Sequence, residues 1–295
     1  MAAEKQKVLF DTDIGSDIDD AVALAYLLSQ PACELLGVTT ATGEPRLRAE
    51  MVSAVCRNVG RDDVPVHAGC PQAMFIEMRQ SKAPQAAALG PWDRRRDFAP
   101  GTAVEFLRRT IRANPGEVTL LATGPMTNVG LLFATDPEVP AMLKQLVLMC
   151  GRFFKGGWGE WNAIGDPHAT AIVYGNGRQT RPPRHVSFGL DVTEQCYLTA
   201  EECRKRFTGD AFKPVRDFAE VWFQNRKWST FHDPLAAACV FRPELCKYRQ
   251  GSVAISLAEP TLGCTVFSDG GEDPPHTVAA EVDAEAFFEH SFDVV

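Results

Sequence analysis

The sequence predicts a single α/β domain in which helices cover a doubly wound, mostly parallel open sheet. Apolar runs of strand length alternate with helix-length amphipathic segments from the first residues onward, as in parallel sheets with crossover helices. Of the 295 residues, 45% are hydrophobic and 23% are charged, so the chain can bury a sizeable core. Because no linker rich in Pro, Gly or Ser divides the chain, we expect one domain over residues 1–295.

The alternation can be followed element by element. The first part of the chain predicts a strand at 8–10, a helix at 21–29 that ends before Pro31, a strand at 35–40, a loop at 43–45 and a helix from Arg46 to about Val59. The later part predicts strands at 118–122 and 145–149, a helix from Asn128 capped by Thr127, and an apolar run at 185–190. Thr199 with Glu202 three residues later has the form of a capping box, so a helix should start there.

The charge and the cysteines indicate where the protein works and what it does not bind. The 30 basic and 38 acidic residues give a formal net charge of -8, and the arginines are scattered, which disfavours binding to a phosphate backbone. No apolar stretch approaches the roughly 18 residues of a membrane span. Nine cysteines lie apart without a C-x-x-C pair, as in a reducing compartment. We therefore expect a cytoplasmic protein that binds neither nucleic acid nor membrane.

The sharpest motif is an aspartate run between the first predicted strand and the first predicted helix. Five carboxylates lie within ten residues, at Asp11, Asp13, Asp17, Asp19 and Asp20. They follow the carboxyl end of a strand, where open α/β sheets bind their ligands. Such crowding is repulsive unless a cation relieves it, and an all-oxygen ligand set selects Ca²⁺ or Mg²⁺. The run therefore predicts a site for a hard divalent cation.

Three other structures could place aspartates at this point in the chain, and each fits the run less well. Capping of the helix by Asp19 or Asp20 would explain one or two of the acids but not five. An EF-hand loop starting at Asp11 would need glycine and glutamate where the chain has Ser16 and Val22. A phosphotransferase of the haloacid-dehalogenase type also begins with D-x-D, but it has Thr or Val where this chain has Gly15. A Mg²⁺-dependent phosphohydrolase therefore stays open only as a minor alternative.

Four segments in order carry a resemblance to a known family. The D-T-D-x-G and D-D-A pattern of the aspartate run resembles the signature of the inosine-uridine nucleoside hydrolases, which are calcium-dependent N-ribohydrolases. Three later segments are similar to the family's other motifs: L-A-T-G-P-M-T-N at 121–128, E-W-N at 160–162 with D-P at 166–167, and H-D-P-L at 232–235. Together they span residues 8–235, and the resemblance implies a nucleoside hydrolase fold with a Rossmann-like core.

The resemblance also implies roles for individual residues. It makes Asp13 the base that deprotonates a metal-held water, and it places His232 near the departing nucleobase. The implied ligands of one Ca²⁺ ion are Asp13, Asp20, Asp233 and the backbone carbonyl of Thr123. The implied contacts to the ribose hydroxyls are Asp19, Glu160 and Asn162. Cleavage of an N-glycosidic bond through an oxocarbenium-like state needs these parts: an activated water on one side of the sugar and a stabilised leaving group on the other.

Three departures from the family pattern concern the substrate more than the metal. The first loop is one residue longer, with Ile14 in place of a proline, so Asp17 could take one of the contacts expected of Asp19. Glu44 stands where the family has an asparagine amide, which predicts an acid facing the ribose. The segment 72–100 lacks the histidine that frames the base in many members, which leaves His232 as the best candidate for the leaving-group acid.

These observations predict an enzyme that hydrolyses a ribonucleoside or a related N-riboside to ribose and a free base. The altered base side keeps a second alternative open, a non-catalytic protein that binds ribose or nucleosides. The family resemblance further implies a homodimer or a homotetramer. The nucleobase itself is not predicted by any motif in the chain.

Overall fold

The computed structural model describes residues 5–155, 159–175, 181–182 and 184–295. Its strands are β1 Gln6–Thr12, β2 Cys33–Thr40, β3 Val66–Ala68, β4 Val118–Ala122, β5 Gln145–Met149, β6 His185–Phe188, β7 Tyr197–Thr199, β8 Trp228–Thr230, β9 Cys246–Ile255, β10 Thr265–Asp269 and β11 His276–Val282. Its α-helices are α1 Asp19–Ser29, α2 Pro45–Asn58, α3 Ala103–Ala113, α4 Thr127–Thr135, α5 Val139–Met142, α6 Trp161–Gly165, α7 Pro167–Val173, α8 Leu190–Thr193, α9 Ala200–Arg206, α10 Phe212–Phe223, α11 His232–Phe241 and α12 Ala284–Val294. Short 3₁₀ helices lie at Pro84–Leu89 and Pro243–Leu245.

One large sheet organises the fold. Within the described ranges, nine strands form this sheet in the order β10-β9-β11-β6-β5-β4-β1-β2-β3. All neighbours from β11 to β3 pair in parallel, and β9 and β10 extend the sheet antiparallel. Strands β7 and β8 form a separate antiparallel pair. The predicted α/β class with a mostly parallel sheet is confirmed, whereas one domain over residues 1–295 stays a prediction.

Helices cover the central strands on both faces. Every residue of β4 and β5 is buried, as expected for parallel strands covered on two sides. One hydrophobic cluster joins one face of the sheet to α1, α2, α10, α11 and α12, and a second cluster joins the other face to α3, α4, α5 and α7. None of the helices in the described ranges has the length and apolarity needed to cross a membrane. All nine cysteines are free, and most of them lie in these cores.

Most predicted elements lie where the pattern places them. Helix α1 begins two residues before the predicted start at residue 21, and β1 extends beyond residues 8–10 at both ends. The capping box is confirmed, since the Thr199 hydroxyl accepts from the Glu202 N–H and the Glu202 carboxylate accepts from the Thr199 N–H.

The predicted cap at Thr127 is wrong. Thr127 is itself the first residue of α4, and its hydroxyl donates to the Asp166 carboxylate at 2.8 Å. A hydrogen bond from the Thr127 hydroxyl to an ionised carboxylate is stronger than the bond that the hydroxyl could accept from a helix N–H. The side chain therefore turns toward Asp166, at the start of α7. Asp166 caps α7 through the Ala169 N–H, with Pro167 as the first helical residue.

The order of the strands reverses at the centre of the sheet. From β1 the chain continues to β2 and β3 on one side, while β4, β5 and β6 lie on the other side. A crevice forms outside the carboxyl ends of the strands at such a switch point. The aspartate run begins at Asp11 within β1 and continues past the carboxyl end of that strand, and Thr123 follows the neighbouring β4.

Candidate active site

A pocket of about 390 Å³ lies at this switch point. Eight of the nine predicted site residues line it: Asp13, Asp19, Asp20, Thr123, Glu160, Asn162, His232 and Asp233. Asp17 lines it as well. The ends of β1 and β4 and the first turns of α1, α6 and α11 therefore converge on one cavity, although the residues they carry are far apart in the chain.

The floor of the pocket is acidic. One carboxylate oxygen from each of Asp19, Asp20 and Asp233 lies within 4.8 Å of the other two, and all three residues are buried. Asp19 and Asp20 occupy the first turn of α1 and Asp233 the first turn of α11, where the helix dipole favours negative charge. Asp20 also accepts from the Thr12 hydroxyl, and Asp19 accepts from the Asp233 N–H at 3.1 Å.

The carboxylates of the pocket are destabilised in their charged form. Burial, with the charge of neighbouring aspartates, raises the pKa of Asp13 and of Asp17 to about 7. Burial raises the pKa of Asp20 to about 6, and it raises the pKa values of Asp19 and Asp233 well above the ordinary range. A bound cation would offset this repulsion, and the donors are all oxygens, so the cluster fits a hard divalent metal ion.

Asp13 stands beside this cluster at the end of β1. Its Oδ2 accepts from the Gln80 side-chain amide at 2.8 Å, and its backbone carbonyl accepts from the Arg48 guanidinium. The chain then turns at Gly15, which has a φ of 110°. A Cβ at Gly15 would lie 2.7 Å from the Met51 sulfur, so both conformation and space require glycine there.

Thr123 and Asn162 form the neighbouring wall. The Asn162 amide nitrogen donates to the Thr123 carbonyl at 2.6 Å and to the Met149 carbonyl at 3.1 Å. The Thr123 carbonyl has a second lone pair that could serve a metal ion. With its nitrogen engaged, Asn162 keeps its amide oxygen as its remaining side-chain polar atom.

Glu160 is engaged with the backbone. Its carboxylate accepts from the N–H groups of Asn162 at 2.6 Å, Ala163 at 2.9 Å and Gly151 at 3.0 Å. It therefore caps α6, whose second residue is Asn162. Burial raises the pKa of Glu160, while the three N–H donors act in the opposite direction.

His232 is the first residue of α11 and lines the same pocket. Its Nδ1 is 2.7 Å from the Thr193 hydroxyl. Burial lowers the pKa of His232 to about 4, so the imidazole is neutral at pH 7. If Thr193 donates to Nδ1, the Nε2 carries the hydrogen.

Glu44 does not line the pocket. Its carboxylate accepts from the Ala83 N–H at 3.0 Å and from the Lys82 ammonium at 3.0 Å. These contacts join the turn after β2 to the segment that follows β3. The predicted ribose contact of Glu44 has no support in them.

Sequence reasoning missed several residues of the pocket. Gln80, Trp222 and Arg226 line it from segments without a motif. Tryptophans without a motif of their own, such as Trp158 and Trp161, are by default predicted to be partly buried packing residues. Trp161 is instead 47% exposed beside the pocket, and Trp158 lies outside the described residues. Arg48 does not line the pocket but supports the loop that carries Asp13. Its place on the apolar face of α2 is a pattern from which a buried structural role could have been predicted.

Comparison with known proteins places this geometry in a family. The sequence model for the inosine-uridine preferring nucleoside hydrolases matches residues 8–289. The pyrimidine-specific ribonucleoside hydrolases RihA of Citrobacter koseri and Salmonella agona are 31% and 30% identical to the chain over 95% of each protein. The purine-preferring ribonucleoside hydrolase from Gardnerella vaginalis shares the fold with a TM-score of 0.83 at 24% identity over 98% of both chains. The inosine-uridine preferring nucleoside hydrolase from Bacillus anthracis does so with a TM-score of 0.82 at 23% identity over 98% of both chains. With a family match over nearly its whole length, the chain belongs to the inosine-uridine preferring nucleoside hydrolases, a family of N-glycosyl hydrolases.

Proposed function

We propose that this chain hydrolyses ribonucleosides to ribose and a free base with the help of one Ca²⁺ ion held by Asp13, Asp20, Asp233 and the Thr123 carbonyl. The observation that carries the metal site is the buried group formed by one carboxylate oxygen from each of Asp19, Asp20 and Asp233, all within 4.8 Å of one another, with Asp13 lining the same pocket. The family is metal-dependent, and the oxygen-only donor set favours calcium or magnesium. Calcium, when bound, would offset the charge of the carboxylates, lower the pKa of a water molecule and orient the ribose diol.

Asp13 is the proton acceptor in this proposal. Without a metal, burial raises its pKa to about 7; a bound cation would lower this pKa, so Asp13 would be ionised and able to accept a proton. It lines the pocket beside the acidic group, where it could accept a proton from a water molecule held there. Because the sugar becomes an oxocarbenium-like cation as the base departs, carboxylates around the ribose also stabilise the transition state.

Asp19 and Asn162 are the proposed contacts to the ribose hydroxyls. Asn162 offers an amide oxygen, since its nitrogen is held by two carbonyls. Asp19 offers a carboxylate, of which one oxygen already accepts from the Asp233 N–H. Glu160, which the sequence also assigned to the ribose, supports this contact by fixing the backbone of Asn162.

His232 is the proposed donor to the departing base. If the Thr193 hydroxyl donates to Nδ1, the Nε2 hydrogen of this neutral imidazole would supply a hydrogen bond while negative charge develops on the base. The curated relatives at 30–31% identity are named as pyrimidine-specific, so pyrimidine ribonucleosides are the first substrates to test. The cytoplasmic location and the homodimer or homotetramer stay predictions.

A reducing-sugar assay over purine and pyrimidine ribonucleosides tests the proposal. We expect ribose release from at least one nucleoside, loss of the activity in a chelator, and recovery on addition of Ca²⁺. Recovery of the activity with Mg²⁺ but not with Ca²⁺ would contradict the choice of metal. Phosphate release from p-nitrophenyl phosphate without ribose release would contradict the reaction and favour the phosphohydrolase, while nucleoside binding without turnover would favour a binding protein.

A further inference from the structure

We propose that Gln80 is a positioning residue that orients the carboxylate of Asp13 and is itself oriented by the indole N–H of Trp161. The inference rests on the proposed function in one respect, namely that Asp13 is the base. Gln80 lies in the segment between β3 and the first 3₁₀ helix, where no motif predicted a site residue. Its side-chain amide donates a hydrogen bond to the Asp13 carboxylate across the pocket.

The chemistry of the three groups fixes the direction of this chain of hydrogen bonds. The Trp161 Nε1 donates to the Gln80 Oε1 at 2.6 Å, and the Gln80 Nε2 donates to the Asp13 Oδ2 at 2.8 Å. An indole N–H can only donate, and an ionised carboxylate can only accept. The carbonyl of the amide must therefore face Trp161, which leaves its NH₂ group for Asp13. Flipping the amide would place its NH₂ group against the Trp161 N–H, two donors, and its oxygen against the Asp13 carboxylate, two acceptors.

The backbone around Gln80 is held tightly to the loop that carries Asp13. The Gln80 carbonyl packs against Gly43, where a Cβ would lie only 2.5 Å from that oxygen. Arg48 donates to the Lys82 carbonyl at 3.1 Å and also to the backbone carbonyls of Asp13 and Ile14. Gln80 therefore projects into the pocket from an anchored segment, as a positioning group must.

The arrangement has a consequence for the reaction. A proton acceptor works best when one carboxylate oxygen is held and the geometry toward the water is fixed in advance. Gln80 supplies this restraint without adding charge to a pocket that is already acidic. Trp161 stands half exposed at the pocket rim, so the restraint on the base extends to a ring that an incoming substrate would meet.

Three variants assayed at saturating Ca²⁺ test the inference. Gln80→Leu removes both hydrogen bonds at similar size, and Trp161→Phe keeps an aromatic ring but removes the donor. We expect Gln80→Leu to lower kcat about 10-fold with KM changed less than about 2-fold, since a hydrogen bond to a charged group is lost. Trp161→Phe should lower kcat by a smaller factor. The double variant should be no slower than Gln80→Leu alone, because Trp161 acts on the base only through Gln80.

Gln72→Leu is the matched control, since Gln72 is exposed in the same segment and does not line the pocket. It should leave kcat and KM unchanged. Additive losses in the double variant would overturn the inference, as would a raised KM with unchanged kcat for Gln80→Leu, which would make Gln80 a substrate contact. Because Asp13 is also a proposed Ca²⁺ ligand, a smaller calcium-induced rise in melting temperature for Gln80→Leu would fit the same positioning role, and kcat is therefore compared at saturating Ca²⁺.

The result separates this inference from the proposed function. If the unaltered protein releases ribose and Asp13→Asn nearly abolishes turnover, the proposed function stands whatever Gln80→Leu does. Normal kcat for Gln80→Leu in that setting overturns the positioning role alone. If the unaltered protein releases no ribose from any nucleoside, the proposed function fails first, and the positioning role fails with it.

Discussion

The floor and the rim of the pocket are built in different ways. We define the floor by Asp19, Asp20 and Asp233 and the rim by Trp161 and Arg226. The floor residues are buried in the first turns of α1 and α11, and their positions follow from the packing of the sheet. The rim residues are exposed, and Arg226 lies in the loop between α10 and β8. The fold thus determines where a metal and a sugar can bind, whereas the loops determine what else the pocket admits.

The largest effect is expected at the edge of the floor, at Asp13. Asp13→Asn keeps the shape of the side chain but removes most of its basicity, so kcat should fall on the order of 10²–10⁴-fold while ribose or nucleoside still binds. A discontinuous assay of ribose release measures kcat, and equilibrium binding measures the affinity for ribose or nucleoside. Asp63→Asn, an exposed aspartate paired with Arg61, is the control for the substitution itself. Near-normal turnover of Asp13→Asn would show that another group is the base.

His232, which lines the pocket beside the floor, should affect the reaction in a way that depends on the leaving group, whereas the floor residues should not. His232→Ala removes the proposed donor to the departing base, so it should slow hydrolysis of a nucleoside about 10- to 100-fold. On p-nitrophenyl riboside, whose leaving group needs no proton, the loss should stay below about 3-fold. Thr193→Val, which removes the partner of Nδ1, should give a smaller loss with the same dependence on the leaving group. Equal losses of His232→Ala on both substrates would assign His232 to the support of Asp233 instead.

Calcium binding should couple the floor to folding. Because the ion binds only where folding brings the carboxylates together, saturating Ca²⁺ should raise the melting temperature by several degrees, equivalent to about 2.7 kcal/mol at 100 times Kd. Asp20→Ala should abolish this rise in a calorimetric or fluorescence melt. Asp17→Ala tests whether Asp17 takes a contact that the family pattern gives to Asp19. We expect this variant to keep most of the rise in melting temperature. A melting curve indifferent to Ca²⁺ in the unaltered protein would remove the metal site as drawn.

The sequence predicts the floor of the pocket better than its rim, and the reason is physical. The D-x-D run and the H-D-P-L segment predict the floor because both stand at element ends that the parallel sheet brings together. Gln80 and Arg226 have no periodic pattern and reach the pocket only through the tertiary course of their loops. Glu44 is a different case, since its position was aligned with the family while its carboxylate contacts Lys82 and the Ala83 N–H, so its contact to the ribose stays a prediction.

Without a bound metal, the aspartates of the pocket should also respond to pH. Burial raises the pKa values of Asp13 and Asp17 to about 7 and that of Asp20 to about 6, so the folded protein holds protons that the unfolded chain releases near pH 4. This contribution is fully present below pH 4 and is lost as the pH rises through 6 to 7. Buried histidines such as His232, with a lowered pKa, act in the opposite direction, but mainly below pH 6.5. In a chelator the melting temperature should therefore fall between pH 6.5 and 8, and Ca²⁺ should reduce the fall. A rise over that range would contradict the assigned shifts.

The smallest effect is expected at Glu44, where the family resemblance and the structure make different predictions. A ribose contact would make KM for a nucleoside rise at least 10-fold in Glu44→Gln. The observed contacts to Lys82 and to the Ala83 N–H predict instead that KM changes less than about 2-fold. Because the Lys82 ammonium is largely exposed, loss of the ion pair should cost less than about 1 kcal/mol of unfolding free energy. Lys82→Gln breaks the same pair from its other side and is the matched control. If Glu44 serves only the segment after β3, denaturant titration should give both variants the same small loss, and that loss should shrink at high salt. A raised KM in Glu44→Gln but not in Lys82→Gln would return Glu44 to the sugar side of the pocket.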